Sequence, residues 1–183
     1  MPPLASGVTT TTRYRPARRV LAALALAAAT GCFPLPSEPA PGGMTGVTVN
    51  TDGHLTLVAA WCEQPPDGVV IYRRVNGEHV EQADLTAPPL TGSTVSLDLE
   101  HIPPGWSLTS GDLDFARGRK YTGSAYNSKT HVRMYDVVFT TESKKRVRPG
   151  QVIITEYGEQ DGETGHDVLV STAEFTARAP HFC

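Results

Sequence analysis

The sequence predicts an all-β fold: an antiparallel β-sandwich of immunoglobulin-like kind with one short C-terminal helix. Three observations carry this expectation. Apolar and polar residues alternate at period two from Thr45 onward, turn pairs such as Asp52-Gly53 and Asn76-Gly77 interrupt the alternation, and a single segment near Ser171 has helical character. Short strands between Gly, Pro and Asn turns favour a sandwich over a parallel sheet, whose strands alternate with long helices.

Val47 and Val49 lie on one face of a first strand. Asp52-Gly53 turns the chain, and Leu55, Leu57, Ala59 and Trp61 resume on one face of the second. Val58, Ala60 and Cys62 make the other face of that strand apolar as well, which places it centrally in its sheet and Trp61 in the core. The run Val69 to Val75 meets Asn76-Gly77, a strong hairpin signal, and returns as Glu78 to Leu85. The charges Glu78, Glu81 and Asp84 suggest an edge position for the returning strand, because charge discourages pairing with other chains. Further strands are expected at 94–99, 120–127, 131–141 and 151–157. In the longest, Arg133, Tyr135, Val137 and Phe139 would share one face, with Val132, Met134, Asp136 and Val138 on the other. Ser171-Thr172-Ala173-Glu174 matches a capping box for a helix over 172–179, which Pro180 ends.

The first 31 residues carry an address. Arg13, Arg15, Arg18 and Arg19 precede the apolar run Val20 to Ala29, and no acidic residue occurs before Glu38. Ten apolar residues are too few for a stable span, which needs roughly 20. The order basic, apolar, small, cysteine predicts a secretory signal over 1–31. It resembles a lipobox, in which Cys32 receives a diacylglyceryl group and further acyl chains such as palmitate and becomes the mature N-terminus. Ala29 stands where leucine is commonest in that motif. Plain secretion after an Ala-x-Ala-type site near Ala27 to Ala29 is the alternative. Arg18-Arg19 also leaves the twin-arginine route open beside the general secretory one.

Residues 32–44 contain Pro34, Pro36, Pro39, Pro41, Gly42 and Gly43, a composition that buries no apolar surface and reads as a tether from the membrane. At about 3 Å per residue it holds the domain, 45–183, some 30–40 Å from the lipid. The mature part, from Cys32 onward, contains all 19 acidic residues of a chain whose net charge is −3, a balance that speaks against a nucleic-acid partner. The basic cluster Lys144, Lys145, Arg146 and Arg148 reads as a solvated turn, with an anionic polymer or lipid headgroup as the other reading. Of three cysteines, lipidation uses Cys32, and export lets Cys62 and Cys183 pair as a disulfide.

Chemistry is sparse. Gly-x-Ser-x-Gly, Ser-x-x-Lys and Gly-x-Gly-x-x-Gly are missing, and His54, His79, His101, His131, His166 and His181 are scattered with no ligand couple, each reading as a surface or turn residue. No catalytic residue, metal or cofactor is therefore expected. The acidic loop 156–167 lacks the order of an EF-hand loop, so a solvated loop is preferred there to a calcium site. Trp106, after Pro103-Pro104-Gly105, reads as a core residue, the alternative being a stacking platform for sugars or a partner together with Tyr121 and Tyr126.

The lipobox, the Ala-rich signal, Trp61-Cys62, Pro103-Pro104-Gly105-Trp106, Pro149-Gly150-Gln151-Val152 and the final cysteine together resemble small secreted lipoproteins of high-GC actinobacteria. The resemblance implies an envelope location and no activity. The expected function is accordingly that of a non-catalytic lipoprotein at the outer face of the cell membrane. It would be anchored through Cys32, with its sandwich serving as an interaction module for an envelope protein or glycan. Carbohydrate or small-molecule binding is the alternative, an envelope enzyme the third.

Overall fold

Residues 41–158 and 165–183 are described by a computed structural model. The signal, Cys32, most of the tether and the middle of the acidic loop thus lie outside the described residues. Eleven strands form in chain order: β1 (Gly43–Val49), β2 (Leu55–Trp61), β3 (Gly68–Val75), β4 (Glu78–Thr86), β5 (Thr94–Asp98), β6 (Ser107–Gly111), β7 (Tyr121–Asn127), β8 (Val132–Arg133), β9 (Val137–Phe139), β10 (Gln151–Glu156) and β11 (His166–Ser171). Among the described residues one α-helix, α1 (Thr172–Arg178), follows them and runs on into a 3₁₀ turn at Ala179–Phe182, and a further 3₁₀ turn spans Thr141–Lys145 between β9 and β10.

The strands make two antiparallel sheets, the all-β sandwich that the alternation predicts. One has the order β11-β10-β1-β2-β5, the other β6-β4-β3-β7, with β8 and β9 pairing opposite ends of the same side of β7. Val47, Leu55, Leu57 and Leu97 of the first sheet meet Val69, Ile71, Leu85 and Phe139 of the second in the main core. β2 is central in its sheet, as its two apolar faces imply, and all seven of its residues are buried. Its outer face, Val58 and Ala60, joins Met44, Val152, Ile154 and Val170 in a second core closed by Phe175 of α1 and Ala179. A sheet face covered by a helix needs few polar residues, so β2 is apolar on both faces apart from Thr56.

Both hairpins form where the turn pairs predict them. Asn76 and Gly77 have φ of 52° and 90°, the positive pair that a two-residue hairpin turn needs. Ser171 caps α1 by accepting the Glu174 N–H at 3.1 Å, but the Glu174 carboxylate pairs with Arg178 one turn on. β1 starts at Gly43, two residues inside the stretch assigned to the tether.

Two expectations need correction. β4 is not an edge strand along its length: β6 pairs with Ala83 to Thr86, and only the first half, with Glu78 and Glu81, lies beyond that pairing. All five residues of β6 are exposed, so no apolar alternation marks it in the sequence. The strand expected over 131–141 is also broken. Between β8 and β9 the chain leaves the second sheet and bonds to the first, Tyr135 N–H donating to the Gly43 carbonyl (2.9 Å) and Thr45 N–H to the Tyr135 carbonyl (2.8 Å). The crossing shifts the phase, which is why Met134 and Val137, assigned to opposite faces by alternation, enter the same core. β11 was not expected either; its Val168 and Val170 face the second core.

Candidate functional site

The outer face of the second sheet carries the most developed surface site. β3 presents Tyr72 there and β7 presents Thr122 and Ser124, the three lining a groove of about 420 Å³. Opposite this point β4 carries a β-bulge, Gln82 standing unpaired between the partners of Ile71 and Tyr72, which bends β4 locally. Arg133, at the end of β8, lies over the Tyr72 ring with its guanidinium carbon 5.3 Å from the ring centroid and donates to the Tyr72 hydroxyl at 2.8 Å. The His79 ring lies nearby, its centroid 6.1 Å from that of Tyr72. The groove continues past Thr122 and Asp136 into a narrower part lined by Arg74, Lys120 and Tyr157.

Its groups suit recognition of a polar ligand. Tyr72 offers a ring, Arg133, Arg74 and Lys120 offer cationic donors, and Asp136 accepts the Tyr157 hydroxyl proton at 3.1 Å. Burial and the adjacent Asp136 carboxylate push the Tyr157 hydroxyl pKa well above the ordinary tyrosine value; burial, Asp136 and Glu156 raise that of Tyr135. The Tyr157 phenol thus stays a neutral donor. The buried Ser124 hydroxyl donates to the Met134 carbonyl at 2.8 Å, so its lone hydrogen is spent on backbone and not on a base.

The residues singled out from sequence distribute as follows. Cys62 and Cys183 are bonded, as expected from parity and export. Trp61 is buried in the main core, and so is Trp106, 9% exposed, which removes the stacking platform considered for it. Tyr121 is buried too, and Tyr126 is bound to Asp84 at 2.8 Å. The physical reason is plain: the diproline turn folds back, Trp106 N–H donating to the Pro103 carbonyl, and delivers the indole inward. In the basic cluster, Lys144 pairs with Glu100 at 2.9 Å and Arg146 with Asp167 at 2.5 Å, the solvated turn that was preferred.

Sequence reading missed two groupings of histidine. His79 and His131 both line the Tyr72 groove. His54 and His101, 47 positions apart, are in contact at the far end of β2 and β5 beside Asp98. The only sequence signal for the second grouping is the Asp98-x-x-His101 spacing next to a turn; its partner comes from another hairpin. No family model, curated protein or solved structure matches this chain, so the sites are read from their own chemistry.

Proposed function

We propose that the chain is an exported lipoprotein of the cell envelope, held at the outer face of the membrane through Cys32, whose β-sandwich is a binding module without catalytic activity. The single observation that carries this reading is the order of the N-terminal segment: Arg18-Arg19, the apolar run Val20 to Ala29, Thr30-Gly31 and then Cys32, followed by a proline-rich tether. Two or more acyl chains give stable attachment where one is marginal. The tether then holds the disulfide-closed sandwich clear of the lipid surface. In a lipidating bacterial host the wild type fractionates with membranes and Cys32→Ala does not; wild-type protein wholly in the medium with an unmodified Cys32 overturns the anchor.

The second reading, carbohydrate or small-molecule binding, is favoured by the Tyr72 groove in place of Trp106. A tyrosine ring flanked by arginine and histidine above a floor of Thr122 and Ser124 is the kind of surface on which a sugar ring stacks and bonds. Titrating soluble cell-wall glycan fragments into the ¹⁵N-labelled protein shifts resonances around Tyr72 and Arg133 under this reading. Shifts confined to other surfaces, or none, set it aside.

A further inference from the structure

Three side chains that share no motif converge at one corner of the first sheet. The antiparallel register of β2 and β5 sets Thr56 opposite Asp98. His54, two residues before Thr56, therefore reaches the turn that follows Asp98. There His54 Nδ1 lies 2.9 Å from Asp98 Oδ2 and 3.3 Å from His101 Nδ1. One donor atom from each of the three residues falls within 4.8 Å of the other two.

We propose that His54, Asp98 and His101 form a binding site for a divalent transition-metal ion of borderline softness, of which Zn²⁺ is the type. Two imidazole nitrogens and one carboxylate oxygen are the donors such an ion takes, whereas calcium and magnesium select oxygen alone. The spacing fits as well. With Zn–N bonds of about 2.0–2.1 Å, tetrahedral neighbours stand about 3.3 Å apart, the separation of the two Nδ1 atoms. A neutral His54 that donates Nδ1–H to Asp98 takes up the ion by changing tautomer, the proton passing through solvent from Nδ1 to Nε2 and leaving the Nδ1 lone pair for the metal.

The corner is held in place by groups around the donors. Asp98 Oδ1 accepts the backbone N–H of Glu100 at 2.8 Å and of His101 at 2.9 Å, and Oδ2 accepts Asn50 Nδ2 at 3.0 Å. The Asn50 side-chain oxygen accepts the N–H of Asp52 at 3.0 Å and of His54 at 2.9 Å. One amide thus fixes the His54 backbone and the Asp98 carboxylate together, the outer-shell arrangement that orients metal ligands. Glu100, anchored by the Leu55 N–H at 2.8 Å and by Lys144, places a further negative charge beside the site. His54 and Asp98 are largely buried, with side-chain exposures of 27% and 16%, while His101 is exposed, which leaves a coordination position for water or a ligand. None of these residues lines the Tyr72 groove, so the two sites stand independently.

Untagged full-length protein, stripped with a chelator and dialysed, is titrated with ZnCl₂ by calorimetry, and the histidine side-chain ¹⁵N resonances are followed in parallel. The expected result is saturable, stoichiometric binding with the Nδ1 resonances of His54 and His101 moving together and those of His79 and His131 unmoved. His101→Gln, an exposed change that leaves the core intact, weakens binding by more than about tenfold, and Asn50→Ala, a positioning change, by about tenfold. Excess CaCl₂ does not compete. Absence of saturable binding, binding undiminished in His101→Gln, or shifts confined to other histidines overturns the proposal.

Discussion

Cys62, the residue after β2, and Cys183, the last of the sequence, are 121 positions apart and have Cα atoms 6.0 Å apart in a disulfide. The bond ties the 3₁₀ turn after α1 to the end of the central strand of the first sheet. It thereby encloses the chain from β3 to the end of the 3₁₀ turn in one covalent loop, with β1 and β2 preceding the loop. Closing a loop of that length is worth about 5 kcal/mol in the chain-entropy account. Cys62→Ala with Cys183→Ala is expected to lower unfolding free energy by that order, read from urea denaturation, with amide exchange accelerating first in α1 and β11. Exchange that accelerates uniformly, or unchanged stability, contradicts the assignment of the bridge to this end of the fold.

Phe175 tests the second core. It is 2% exposed, and its ring closes the apolar outer face that Val152, Val170 and Ala179 share. Truncation of a buried phenylalanine leaves a cavity that costs about 3–5 kcal/mol. Phe175→Ala is expected to destabilise by that amount and to loosen α1, seen as lost helical NMR contacts, while the main core keeps its near-ultraviolet signature. A loss below about 1 kcal/mol would mean that α1 rests only lightly on the sheet.

Much of this architecture was legible from side-chain period and turn chemistry. The Asn76-Gly77 turn, the two-faced apolar run of β2 and the Ser171 cap each encode their element locally, within a few residues. What stayed hidden depends on partners distant in sequence. β6 is recognisable only through its pairing with Ala83 to Thr86, and the break between β8 and β9 arises because Gly43 and Thr45 offer Tyr135 a second set of hydrogen-bond partners. The candidate sites follow the same division. Cys62 and Cys183 could be paired by counting, but His54 and His101 meet only through the β2–β5 register, and Tyr72 and Arg133 only where β3 and β8 flank β7.

The Tyr72–Arg133 pair is expected to serve recognition more than stability. Arg133 is exposed, and an exposed cation–π contact contributes about 0.5–1 kcal/mol. Arg133→Ala should therefore change unfolding free energy by no more than about 1 kcal/mol while removing the glycan-induced shifts around the groove. Loss of several kcal/mol in denaturant would identify the arginine as a structural strut. Retained glycan shifts would place the ligand elsewhere.

The tyrosine hydroxyls give the fold an alkaline limit with a definite sign. Burial, the Asp84 hydrogen bond and the surrounding carboxylates push the Tyr126 pKa well above the ordinary 10.0; burial and Asp136 do the same at Tyr157. A pKa raised by folding means that the folded state binds its proton more tightly than the unfolded chain. The resulting stabilisation is complete below the unfolded value of 10.0 and is lost as pH rises from there toward the folded values. Absorbance at 295 nm should accordingly show the ionisation of Tyr126 and Tyr157 delayed past the ordinary 10.0 and coinciding with loss of β-sheet circular dichroism. Tyr126→Phe removes one proton from the late phase and leaves Asp84 without its donor, yet it also makes the domain less sensitive to alkali because one partly buried phenol no longer has to ionise. Tyr126 and Tyr157 titrating near pH 10 in a still-folded protein would refute the burial and carboxylate account of both.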